Sequence, residues 1–505
     1  MLLVTASVHF EGVRFFAPIP PTTPQCQKRI TLKENAAALL DTGRSEGRPL
    51  ENYARRQSGS PVPDQLTTAF ASPQVIALPR PRFHQVRQVG FSMADQAFSA
   101  GGMFLVNLVL ARTQTKEEYG MFALSYSVLT FLTGVHNAAI LEPFTIYGSG
   151  RYRSRFEEYF QLIWRSNAAL GAAMTAVVLC LCLGFHWMAP HDLPRAVLGL
   201  GLTVGVLLSG ALLRRIFYLR RQTSLAAAAS FIFFACVALG LWLTVKAHAL
   251  DSLTVFLVLA AGWLAAGISL AARLPFGNTS QSFLELEPNY WREHWKYARW
   301  VLVTALVFQL TSQGYYWLVA GLLSVRDVAQ LKAITMVVAP ADQIFIALNY
   351  LVLPMLSAHY AAKRMAQLFS AWKWYAAGIT GITLTFFGFI RAFGKPLTHL
   401  LYGGRYDDVA PLLSWLALLP AVMGIGHTMN AVLKAAECPR LVFWAYLCSG
   451  AVAFLVGIPL VIRLGLRGAV YSMLISGASY TAALAAGFVL TFQRALNQHV
   501  VEAAS

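Results

Sequence analysis

The sequence predicts an all-α polytopic membrane protein with about twelve transmembrane helices in two halves. Three observations predict it. Of the 505 residues, 57% are hydrophobic and only 12% are charged, whereas soluble domains carry about 25% charged residues. Apolar runs recur along the chain, each near the ~20 residues that a membrane-crossing helix needs. One long polar segment, 275–296, divides these runs into two sets of six.

Residues 1–86 precede the apolar architecture. They are polar, rich in Pro, Arg, Gln and Ser, and include the run Ala17-Pro-Ile-Pro-Pro-Thr-Thr-Pro24. Too little apolar surface is present to offset the entropy of ordering. The expectation is a disordered extension, or one added by a start codon assigned too early. The opening ten residues lack the length and basic flank of a signal peptide. Arg80, Arg82 and Arg87 then precede the first span.

The first half, 87–274, reads as spans at about 91–111, 121–147, 162–185, 196–213, 225–245 and 253–274. A short charged hairpin joins the first two. The segment 275–297 mixes aromatic and charged residues, the composition of an amphipathic helix lying at a membrane interface. The second half, 298–494, reads as spans at about 298–323, 328–355, 374–393, 412–432, 441–462 and 465–490, with a short tail at 495–505. Pro143 and Pro354 stand at similar places in the two halves. Internal symmetry of this kind is common in secondary transporters.

The net charge of +17 points to topology, not to nucleic acid. Basic residues concentrate in alternate loops: Arg151, Arg153 and Arg155, then Arg214, Arg215, Arg220 and Arg221 in the most basic loop, then Lys434 and Arg440. Positive loops stay cytoplasmic, so both termini are placed inside. The six cysteines form neither a zinc pattern nor a disulfide framework, and no metal or cofactor is expected. No G-x-x-x-x-G-K-[ST], H-E-x-x-H or G-x-S-x-G occurs, so the chain is not read as an enzyme.

Polar side chains inside the spans are costly and usually face a bundle interior or a wet cavity. The candidates for lining such a cavity are Asp95, Gln96, Asn107, His136, Asn137, Glu142, Gln309, Gln313, Tyr316, Lys332, Asp342 and Asn349. Hydrogen bonding between helices is the competing reading for each Asn, Gln and Tyr. The carboxylates Asp95, Glu142 and Asp342 each need a basic partner, water or a proton.

The run LVNLVLARTQTKEEYGMFALSYSVLTFL, with Ala111, Arg112, Glu117, Glu118, Tyr119 and Gly120, resembles the first hairpin of polysaccharide-export flippases of the multidrug/oligosaccharidyl-lipid/polysaccharide exporter superfamily. Thr113 to Lys116 depart from that family's usual Leu-Gly-Pro. Tyr402-Gly403, Tyr406, Ala410 to Leu413 and Gly465-Leu-Arg-Gly-Ala469 are similar to its later loops. The resemblance extends over about 88–494. It implies two six-helix bundles facing a central cleft, and a flippase that moves a lipid-linked saccharide across the bacterial inner membrane for surface or exported polysaccharide. It further implies polysaccharide polymerases and glycosyltransferases as partners. The alternatives are a cation-coupled multidrug exporter of the same superfamily, using the acidic residues, and a non-transporting scaffold of a polysaccharide assembly complex. A membrane polymerase or ligase would need a large external loop, which the sequence lacks.

Overall fold

Residues 83–149, 152–188, 192–274 and 289–504 are described by a computed structural model. The extension expected at 1–86 lies almost entirely outside the described residues, as do 275–288 of the polar joint. The described residues form twelve helical rods and no strand. In the first half these are α1 (Phe83–Thr113), α2 (Lys116–Ser149), α3 (Phe156–Met188), α4 (Asp192–Leu219), α5 (Thr223–Lys246) and α6 (Ser252–Ala271). In the second half they are α7 (Asn289–Leu322), α8 (Val325–Ala361), α9 (Met365–Tyr402), α10 (Ala410–Ala435), α11 (Pro439–Leu464) and α12 (Leu466–Ala504). Ten of them are long and apolar enough to cross a membrane. The other two, α7 and α8, have 34 and 37 residues, well above the ~20 needed for a hydrocarbon core of about 30 Å.

Short polar turns punctuate the rods, and their chemistry is legible. Thr115 caps α2: its hydroxyl accepts from the Glu118 amide at 3.1 Å. Glu117 and Glu118 place negative charge on the same helix start, where the macrodipole favours it. Ser324 caps α8 in the same way, accepting from the Asp327 amide at 3.2 Å. The two hairpins occupy corresponding places in the two halves. At the other end of the molecule, α4, α8 and α10 close with the same hydrogen-bond pattern around Arg221, Lys363 and Glu437. Each of these adopts positive φ, the left-handed residue that ends a helix in a Schellman motif.

Three differences from the sequence reading have physical causes. Arg214 and Arg215 belong to the last turns of α4, both buried, not to a basic loop; the amphipathic end of the helix hides them against neighbours. The aromatic stretch at 289–297 is the beginning of α7, continuous with the span. The helix of the last span continues to Ala504, past the predicted end at 490.

The chain alternates between two ends. The tight α1–α2, α7–α8 and α9–α10 turns lie at what we call the hairpin end; the α2–α3, α4–α5, α8–α9 and α10–α11 turns lie at the linker end. Within the first half, α4 packs on α3 and α6. Within the second, α12 packs on α10 and α11. The halves meet along α2, which packs on both α7 and α8. At the hairpin end this approach is very close: a Cβ on Gly120 would stand 2.0 Å from the carbonyl oxygen of Val325. Ion pairs Arg326–Glu117 and Lys116–Asp408, both 3.0 Å, bridge the halves around it. The Asp408 carboxylate also accepts from Gln330 Nε2 at 2.7 Å.

Candidate functional site: a polar cleft beneath the hairpin end

The α2 rod is not a regular helix. Residues Asn137–Leu141 form a π turn, a local widening often found at functional sites. Its cause is in the sequence. Pro143 has no N–H to give the carbonyl of Ala139, four residues earlier. The Glu142 amide reaches back five residues, to Asn137. The released Ala139 carbonyl is then captured from the second half: His294 Nε2 lies 2.7 Å from it. A carbonyl only accepts, so Nε2 carries the proton. Nδ1 therefore accepts from the Tyr159 hydroxyl, 2.9 Å away.

This bond anchors the start of α7 to the first half. Tyr147 donates to the Glu293 carbonyl at 3.3 Å, and Tyr152 donates to the Glu293 carboxylate. Tyr290 packs edge-on against Tyr152, and Tyr297 against Tyr147. Replacing His294 by alanine is expected to cost about 1–3 kcal/mol, because it leaves a buried carbonyl unpaired. Adding Pro143→Ala should restore most of that loss, since the new amide at 143 can serve Ala139 directly. Thermal unfolding of the two variants checks this; no recovery in the double variant would refute the account of the turn.

Beyond the π turn a group of polar residues from both halves gathers, some buried and some reached by solvent. Glu142 accepts from the Tyr297 hydroxyl at 3.1 Å. It is also within electrostatic range of Arg215 of α4 and Lys434 of α10. Arg215 itself donates to Asn137 Oδ1 at 3.2 Å. His427, half-buried on α10, shares the neighbourhood of Lys434. Asp342 is exposed on α8, and it acts electrostatically on Tyr316 of α7. Nearer the hairpin end, the Lys332 ammonium stands between the Tyr126 and Tyr316 rings, 5.0 and 5.4 Å from their centroids. That arrangement holds a cation by ring quadrupoles. Tyr316 meets Thr335 at 3.0 Å.

The remaining residues singled out in the sequence fall elsewhere. Asp95 is fully buried inside the first half. It accepts from Arg214 Nη2 and Ser230 Oγ, each at 2.5 Å, and from the Tyr218 hydroxyl. Asn107 is buried between Met103 and Tyr119. His136 is buried against Asn167 of α3, 2.6 Å away. The hydrogen-bond partners of all three belong to the first half. Gln96 is half-buried on α1. Gln309 is buried where α7 crosses α2: its amide donates to the Thr130 carbonyl at 3.2 Å and lies over Gly134. Gln313 is half-buried beside Ser312. The enclosed Oδ1 of Asn349 has no hydrogen-bond partner among the described residues. Arg215, Tyr297, His427 and Lys434 share the neighbourhood of Glu142 and Asn137 and were not in the sequence-based set. Arg215 and Lys434 were read as loop charges; only the helix boundaries move them inward.

Twelve helices in two halves around a central cleft make a multi-pass membrane protein with the fold of transporters of the MOP superfamily. Solved structures with this fold include an inward-facing multidrug resistance MATE family transporter (TM-score 0.65, 13% identity, covering 81% of this chain and 97% of that one). They also include the lipid II flippase MurJ in an inward closed conformation (TM-score 0.59, 12% identity, 80% and 87%). A third is a MOP superfamily transporter from Pyrococcus furiosus (TM-score 0.54, 13% identity, 81% and 92%). The sequence profile described as "Polysaccharide biosynthesis protein" matches residues 109–411, and the chain belongs to that family. A search of curated proteins returns no match.

Proposed function

We propose that the protein is a flippase for a lipid-linked saccharide, carrying it across a bacterial inner membrane for exported or surface polysaccharide. The observation that carries this reading is the cleft's composition. Lys332, Lys434 and Arg215 supply positive charge, while Tyr126, Tyr297, Tyr316 and Thr335 supply rings and hydroxyls. A saccharide diphosphate presents hydroxyls and negative charge, and a cleft between two bundles holds that head while the lipid tail stays in the bilayer. Charge-assisted hydrogen bonds suit the phosphates, and aromatic rings suit sugar faces. The family and the MurJ fold support the same reading.

The linker end is assigned to the cytoplasm, because its turns hold Arg220, Arg221, Lys363 and Arg364 and the start of α11 beside them holds Arg440. The Gly120 contact and the bridging ion pairs hold the halves together at the hairpin end, and loading from the linker side is part of the proposal. The test is flipping of a fluorescent lipid-linked sugar diphosphate in reconstituted vesicles. Lys332→Gln and Lys434→Gln should each insert normally and lower the rate about tenfold or more, the scale of a lost charge-assisted bond. Unchanged rates in both variants would overturn the assignment.

A further inference from the structure

The start of α7 has two faces, and only one is accounted for by the fold. Tyr290, His294 and Tyr297 are buried against the first half. The opposite face carries Trp291, Trp295 and Trp300, exposed to 46, 44 and 61%. Between them stand Arg292, Lys296 and Arg299, all exposed. Trp291 stacks on the His294 ring at 5.4 Å and on Trp295 at 6.3 Å. The Arg299 guanidinium lies 5.9 Å over the Trp300 ring. The nearby acidic residue, Glu293, faces away, toward Tyr147 and Tyr152. Three cations and three indoles share about two and a half turns of helix, with no acid among the described residues of that face.

We propose that this face binds the headgroups of anionic phospholipids. A solvated surface of charges would not carry three exposed tryptophans, and a face sunk in hydrocarbon would not carry three cations. The pattern belongs to the boundary, where indole rings rest at the headgroup level and basic residues reach phosphate. Charge complementarity selects anionic over zwitterionic lipid. The other face of the same turns holds the proline-opened carbonyl of α2 through His294. A lipid bound here therefore braces the helix that joins the two halves.

The test uses the full-length protein, without any saccharide cargo, in nanodiscs mixing phosphatidylcholine and phosphatidylglycerol. Lipid retained through detergent extraction is measured by mass spectrometry. The parent should retain phosphatidylglycerol preferentially. The R292Q/K296Q/R299Q variant should lose on the order of tenfold or more of that preference, with an unchanged melting temperature because all three side chains are exposed. The W291L/W295L variant, which keeps the cations, should keep the preference. A triple variant with the parent's preference, or a tryptophan variant that loses it equally, would overturn the proposal. Neither outcome depends on flipping, so the result stands apart from the proposed function.

Discussion

Asp95→Ala is expected to prevent accumulation of folded protein, not simply to slow transport. The Asp95 carboxylate is fully buried and accepts from Arg214, Ser230 and Tyr218. These partners belong to α4 and α5, so one carboxylate ties three helices. Arg214 is itself buried, with its guanidinium 5.6 Å from the Trp263 ring. Removing the acid strands that charge. Breaking a buried pair from one side costs about 3–5 kcal/mol, a large fraction of the ~5–15 kcal/mol that holds a typical protein folded. Replacing both partners by apolar groups of similar volume is far milder, so Asp95→Leu with Arg214→Met should recover much of the loss. Thermal unfolding in detergent separates the cases. A melting temperature for Asp95→Ala within about 2 °C of the parent would remove the pair from any structural role.

The same carboxylate shows what a sequence can and cannot display. Twelve spans were legible because hydropathy and length are properties of consecutive residues. The caps at Thr115 and Ser324 were legible as charged turns for the same reason. Asp95 was visible as an acid in a span, but its meaning depends on Arg214, 119 residues later. Sequence position offers no way to tell a carboxylate paired inside one half from one that meets the other half, as Glu142 meets Tyr297. Arg214, Arg215 and Lys434 looked like loop charges because hydropathy ends a span at the first cation. α4 runs on for more than a turn and α10 for three residues, so these cations sit on helices and not in loops. Pro143 was noted for its symmetry with Pro354, yet its physical effect, a free carbonyl at Ala139, acquires a partner only when α7 folds back onto α2.

Gly120→Ala is expected to open the hairpin end and to leave the fold otherwise intact. The added methyl would lie 2.0 Å from the Val325 carbonyl oxygen and 2.8 Å from its carbonyl carbon. Real Cβ atoms do not approach so closely, and the obstacle is backbone, so no rotamer change relieves it. The start of α2 must move away from the start of α8. Such overpacking costs about 1–3 kcal/mol. That cost falls only on conformations in which the two helix starts touch. The Arg326–Glu117 and Lys116–Asp408 pairs span the same junction and lose their geometry when it parts. A transporter that alternates between open ends should therefore shift toward the state with the hairpin end open, by a factor of about 5–150. A cysteine at Thr335, half-buried beside Tyr316 in the cleft, reports this in a background otherwise free of reactive cysteines. An impermeant maleimide added at the hairpin side should label it markedly faster in the Gly120→Ala protein. Flipping should fall because return to the closed state is penalised. Labelling and flipping both equal to the parent's would mean that the contact at Gly120 does not hold the cleft shut.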